Sequence, residues 1–176
     1  MKLSVIFNLP EDTKKRVLNL QNQIVSQFDN VIKQDTKFHI TLVSADDVED
    51  IDQVKNQLKS LIANVNLSID IGPIRAMVNH KEEGVIYIAA DSDKLADLHK
   101  SAREILEEHG GKIFFHDFKG HITLAYLDKQ LEDTTVLDNI EFSEPIKIGP
   151  ANANISIKEN GEWKKIALFQ LSRRIA

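Results

Sequence analysis

Apolar and polar positions change their spacing along this chain, and the changes mark its elements. Residues 3–9 are apolar with β-branched members and stop at Pro10, the pattern of a strand. Pro10, Glu11 and Asp12 form a helix start. Val17, Leu18, Ile24, Val25 and Phe28 then recur near helical spacing, predicting an amphipathic helix over 11–28. Lys37 to Ser44 reads as a second strand, followed by an acidic turn at Asp46–Glu49. Ile51, Val54, Leu58, Leu61 and Ile62 mark a second helix, and 67–78 is extended but interrupted by Gly72-Pro73.

The order then starts again. Val85–Ala89 is a strand. Asp91 or Ser92 caps a helix that carries Leu95, Leu98, Ala102, Ile105 and Leu106 on one side. Gly110-Gly111 ends that helix. Lys119–Leu127 is the next strand, and Pro145–Ile157 is extended with a second Gly-Pro. Asn160-Gly161 predicts a tight hairpin turn, with Trp163–Leu171 as the returning strand.

Particular residues carry the repeat. Lys-x-His-Ile-Thr-Leu occurs at 37–42 and at 119–124, and Ile-Gly-Pro at 71–73 and 148–150. His39 and His121 lie 82 positions apart, and Val85-Ile86-Tyr87 stands 80 beyond Val5-Ile6-Phe7, so Tyr87 and Phe7 are expected at matching places. A unit near 80 residues is too long for a solenoid repeat. With no linker or low-complexity stretch between the copies, the chain reads as one domain over 1–176, with two pseudo-symmetric lobes at about 1–79 and 80–176.

Composition narrows the chemistry. With 176 residues, 42% apolar and 28% charged, the chain can bury its own core. It has no cysteine, which excludes disulfides, a cysteine nucleophile and cysteine-based zinc, and which fits a cytosolic protein. No apolar run approaches spanning length, and the short run at the N-terminus is too brief for a signal peptide core. A net charge of -5 argues against a life on long duplex DNA and for a small anionic substrate held by local cations.

The repeated strands hold the candidate chemistry. Alternation along a strand puts Lys37, His39 and Thr41 on one face, with Phe38, Ile40 and Leu42 on the other. Lys119, His121 and Thr123 share a face in the same way. A lone strand histidine is ordinarily structural, but two matching His-Ile-Thr-Leu segments in a duplicated chain would set two imidazoles and two hydroxyls across one groove. One neutral imidazole can take a proton from an attacking oxygen while the other, protonated, gives one to a leaving oxygen. The Thr hydroxyls suit nonbridging phosphate oxygens. Lys37 and Lys119 can add positive field, and Tyr87 can stack on a base. His116 and Asp117 match no metal-ligand spacing, so neither metal nor cofactor is expected. His80, His99 and His109 have no repeat mates and read as structural or surface residues.

His39-Ile-Thr-Leu and His121-Ile-Thr-Leu resemble the twin His-x-Thr/Ser-hydrophobic motifs of the 2H phosphoesterase superfamily, which includes the LigT-like, 2′-5′ RNA ligase and cyclic phosphodiesterase proteins. The resemblance covers nearly the whole chain. It implies an α+β fold: one bilobal domain with antiparallel sheets lining a central cleft and helices outside. It also implies that His39 and His121 are catalytic, that Thr41 and Thr123 bind phosphate, and that no metal takes part. The substrate it implies is a nucleotide or short RNA: a 2′,3′-cyclic phosphate or an RNA-end phosphodiester. Alternatives are 2′-5′ oligonucleotides, cyclic nucleotide signals, or plain binding of RNA ends without turnover. The expected protein is a monomer with no membrane partner.

Overall fold

The computed structural model describes residues 1–63, 65–79, 82–114, 117–128, 137 and 146–171. Strand β1 (Lys2–Asn8) shows why the first run is a strand: Leu3, Val5 and Phe7 are buried, and the residues between them are partly open. Helix α1 (Glu11–Val25) starts with Lys14 N donating to Pro10 O at 2.9 Å and buries Val17, Leu20 and Ile24. It ends at Val25, short of Phe28, where the expected helix stopped. A short strand β2 (Val31–Gln34) follows, then β3 (His39–Asp46), α2 (Ile51–Ala63) and β4 (Ile69–Val78). The second half runs β5 (Gly84–Asp91), α3 (Asp93–Glu108), β6 (Lys112–Ile113), β7 (His121–Leu127), β8 (Ile146–Ile148), β9 (Asn152–Glu159) and β10 (Glu162–Gln170).

Sequence patterning missed β2 and β6, which are four and two residues long and carry no alternation to read. The hairpin turn is as expected: Asn160 and Gly161 have φ of 50° and 86°, the pair of positive values that a two-residue hairpin loop requires. Among the described residues, no helix is long and apolar enough to cross a membrane.

Among the described residues every ladder is antiparallel, and two five-stranded sheets result, in the orders β10-β9-β1-β3-β6 and β2-β7-β5-β4-β8. The sheets repeat each other. β6-β3-β1-β9 in one matches β2-β7-β5-β4 in the other, which is the α+β duplicated frame expected. The expected lobes at 1–79 and 80–176 do not map onto the sheets one to one, however. β4 leaves its own half to pair with β5, and β9 leaves its half to pair with β1. The Ile-Gly-Pro repeats lie at the crossover. Ile69, Asp70 and Ile71 pair with Ile148, Lys147 and Ile146, so the segments that lead into the two copies pair about the pseudo-two-fold axis. Beyond that ladder the chains part: β4 continues along β5, and the second copy passes through Gly149-Pro150 to β9.

The buried core is one cluster of apolar side chains from both sheets and from α1, α2 and α3. α2 supplies Val54, Leu58 and Ile62, and α3 supplies Leu95, Leu98, Ala102 and Leu106. Helices cover the apolar faces, so the polar faces of β3 and β7, with their His and Thr residues, stay open.

Candidate active site

Strand β3 begins at His39 and β7 at His121, two residues later than the expected strands at Lys37 and Lys119. The two lysines have left the sheet, so alternation does not aim them, and both are exposed or half-buried outside the ladder. Their carbonyls turn onto the imidazoles instead. His121 Nδ1 lies 2.7 Å from the Lys119 carbonyl oxygen, and His39 Nδ1 makes the same contact with the Lys37 carbonyl. A carbonyl can only accept, so each Nδ1 carries a proton. In the neutral rings each Nε2 therefore holds the lone pair, ready to take a proton. The same local turn sets the same tautomer in both motifs.

Gly120 makes the second turn possible. A Cβ there would run into the Ala90 carbonyl oxygen, and the Gly120 carbonyl accepts from Ala90 N at 2.9 Å. Phe38, buried, holds the matching place before His39.

Each motif also contains a β-bulge at the same residue. Thr41 faces Ile6 and Val43 faces Val5, leaving Leu42 without a ladder partner. Thr123 faces Tyr87 and Ala125 faces Ile86, leaving Leu124 in the same position. An extra residue reverses the facing of everything after it. Leu42 with Val43, and Leu124 with Ala125, are therefore buried as neighbours. Ser44 and Tyr126 return to the His face. Ser44 Oγ donates to Ser4 Oγ at 2.8 Å. Burial, together with the nearby Asp35 carboxylate, raises the Tyr126 pKa above the ordinary phenol value, while the neighbouring Thr123 side chain works the other way. Alternation read from sequence had no place for Tyr126 in the site, because nothing in the residues flags the bulge.

Bulged carbonyls need partners from outside the ladder. Each gets one from a helix. The Leu124 carbonyl accepts from Gln21 Nε2 on α1 at 2.6 Å and from Asp35 N at 2.9 Å. The Leu42 carbonyl accepts from His99 Nδ1 on α3 at 2.6 Å. His99 is buried and stacks on Phe118, with ring centroids 4.6 Å apart, so it is structural as expected. His109 follows α3 and meets Gln57 Oε1 at 3.1 Å through Nε2. His80 and His116 lie outside the described residues.

The two imidazoles share one electrostatic site. His121 has its pKa lowered from the ordinary value, first by burial and further by the charge of His39, while the Lys119 carbonyl contact works the other way. The Tyr87 ring meets the His121 ring edge-on at 5.5 Å and 68°. Tyr87 and Phe7 do not occupy matching places. The ladders set Tyr87 opposite Thr123 and Ile6 opposite Thr41, while Phe7 faces Ile40 in the core. The apolar triplets match at an offset of 80, but the pairing register sets Ile6 against Tyr87, one residue further on.

Comparison with known proteins agrees with this geometry. The family model described as the 2′-5′ RNA ligase superfamily matches residues 32–153, which include both motifs. The protein TT0787 of Thermus thermophilus has a similar structure, with TM-score 0.64, 19% identity, and 97% of this chain and 98% of that one covered. E. coli LigT complexed with 3′-AMP has TM-score 0.60 and 13% identity, with 98% of each chain covered. The MHV ns2 PDE domain has TM-score 0.60 and 18% identity, with 94% of this chain and 99% of that one covered. No curated protein matches the sequence significantly. The duplicated sheets, the two bulged His-x-Thr strands and the family match together place this chain in the 2′-5′ RNA ligase superfamily, among the LigT-like 2H phosphoesterases.

Proposed function

We propose that the chain is a metal-independent phosphodiesterase that opens a nucleotide 2′,3′-cyclic phosphate or cleaves an RNA-end phosphodiester by general acid–base catalysis. The observation that carries this reading is the pair of Nδ1–carbonyl contacts at His39 and His121, which free both Nε2 atoms within one coupled site. Family membership supports the reaction class. E. coli LigT structures with 3′-AMP and ATP support a nucleotide ligand.

Burial disfavours the charged form of His121, which suits the base, so Nε2 of His121 takes the proton from an attacking water. The water oxygen bonds to phosphorus, the bond from phosphorus to the leaving ribose oxygen breaks, and protonated His39 gives its Nε2 proton to that oxygen. Thr41 and Thr123 donate to the nonbridging oxygens, where charge grows. Tyr126 stands beside Thr123. Lys37 and Lys119 add positive field from the turns before each histidine. Tyr87, buried and edge-on to His121, excludes water from that ring and fixes its plane, rather than stacking on a base. Proton balance closes between the two imidazoles, so the scheme calls on no metal.

The test is a panel of nucleoside 2′,3′-cyclic phosphates, 2′-5′ and 3′-5′ oligomers and cyclic dinucleotides, with products read by mass spectrometry with and without chelator. Turnover of a cyclic phosphate or RNA end, unchanged by chelator, is expected. Loss of turnover that added metal restores would overturn the metal-free scheme.

A further inference from the structure

The open face of the first sheet continues past His39 in two rows. Ladder register puts His39, Asn8, Asn152 and Gln170 side by side, and Thr41, Ile6, Asn154 and Leu168 beside them. Asn8 Nδ2 donates to Asn152 Oδ1 at 2.5 Å, which confirms that these amides share a face. A cavity of about 610 Å³ opens over the rows, lined by Asn8, Asn152, Asn154, Leu168 and Gln170, with Lys165 at its wall. That volume is ordinary for a site that holds a small organic ligand.

Two features mark the cavity as built for a polar, planar group. Asn154 is only 8% exposed, and its Oδ1 has no hydrogen-bond partner among the described residues, so a buried acceptor awaits a donor. Leu168, by contrast, is 49% exposed, an apolar surface beside a row of amides. Carboxamides both donate and accept, as nucleobase edges do, and an apolar side chain suits the face of a base. Lys14 also lines the cavity but is paired with Glu11 at 2.6 Å, which leaves Lys165, among the described lining residues, as the cation available to an anion.

We propose that this cavity is a nucleoside subsite that holds the base and ribose whose oxygen leaves. This rests on the phosphodiesterase reading and deepens it. The second sheet does not repeat the pattern: Ala89 stands opposite His121 where Asn8 stands opposite His39, and Tyr87 replaces Ile6. The subsite therefore breaks the pseudo-symmetry. It sets the substrate with its leaving nucleoside on the His39 side and the attacking water on the His121 side.

The test compares kcat/KM for adenosine 2′,3′-cyclic phosphate and for the abasic ribose 2′,3′-cyclic phosphate. Wild type is expected to prefer the nucleoside at least tenfold. Asn154→Leu, which fills the amide site, is expected to collapse that ratio. Gln170→Ala, on an exposed position, is expected to lower it in part, and it decides the matter if Asn154→Leu does not fold. An unchanged ratio in all folded variants, or equal wild-type turnover of both substrates, would overturn the subsite. Should wild type cleave neither substrate, the catalytic reading fails but the subsite is still decided by calorimetric titration with 3′-AMP. Binding that Asn154→Leu or Lys165→Ala weakens tenfold supports it, and binding indifferent to every substitution removes it.

Discussion

Strands β3 and β7 share a motif, a bulge, a tautomer and a burial pattern, yet their surroundings differ in kind. His121 sits against the Tyr87 ring, with burial lowering its pKa. His39 opens onto a row of carboxamides. A histidine on α3 holds the bulge of β3, and a glutamine on α1 holds that of β7. Duplication thus supplied two like motifs, and in the proposed mechanism the residues around them assign the two imidazoles different tasks.

The sharpest way to break this comparison is to remove each imidazole. His39→Ala and His121→Ala should each lower kcat by about a hundredfold to ten-thousandfold, with folding checked by circular dichroism. A substrate with a p-nitrophenolate leaving group needs no proton donor, so it should restore much of the lost rate to His39→Ala and little to His121→Ala. Equal rescue of both variants would cancel the assignment of acid and base. Next in size are the hydroxyls. Thr41→Val or Thr123→Val each removes one hydrogen bond to a charged group, worth about 1.5–3 kcal/mol, so kcat/KM should fall roughly tenfold to a hundredfold, as measured by steady-state kinetics.

Gln21→Leu and His99→Leu should leave the rate chemistry alone but strip a buried bulge carbonyl of its side-chain donor. Urea unfolding should show a loss of about 1–3 kcal/mol for each. Gln21→Leu should cost more, because Gln21 Nε2 also donates to the Asp35 carbonyl at 2.6 Å, whereas His99→Leu also removes a buried Nε2 that has no partner among the described residues.

The smallest effect is on pH. A base with a lowered pKa becomes active as pH rises through that lowered value, so the acidic limb of kcat/KM should fall below the ordinary histidine value of about 6.5. Tyr87→Ala admits water to His121 and relieves the burial that lowers its pKa. The limb should then move up toward that value. A limb unmoved by the substitution would show that Tyr87 does not shield the ring.

The frame and the four central residues were legible because helical and strand spacing, and a repeated hexapeptide, are properties of the sequence itself. Tyr126 was not, since one extra residue in a ladder leaves no trace in the alternation before it. Tyr87 was aligned with Phe7 because their neighbours look alike, while register is decided by pairing. The lysines of the hexapeptide drew attention as cations, and their fixed contribution is a backbone carbonyl, which every residue type carries. The cavity beside His39 needs β9 and β10 next to β1, and strands this distant in sequence show no sign of being neighbours.

That long-range adjacency also governs the order in which the protein can be made. β1 is the third strand of its sheet, flanked by β3 on one side and β9 on the other. On the ribosome, β1 has β3 to pair with early, but its second edge stays bare until residues 152–159 emerge. An unpaired edge is a template for the wrong neighbour, and contacts so far apart in sequence form slowly. Folding of the first sheet is therefore a late, concerted event that requires nearly the full length of the described polypeptide.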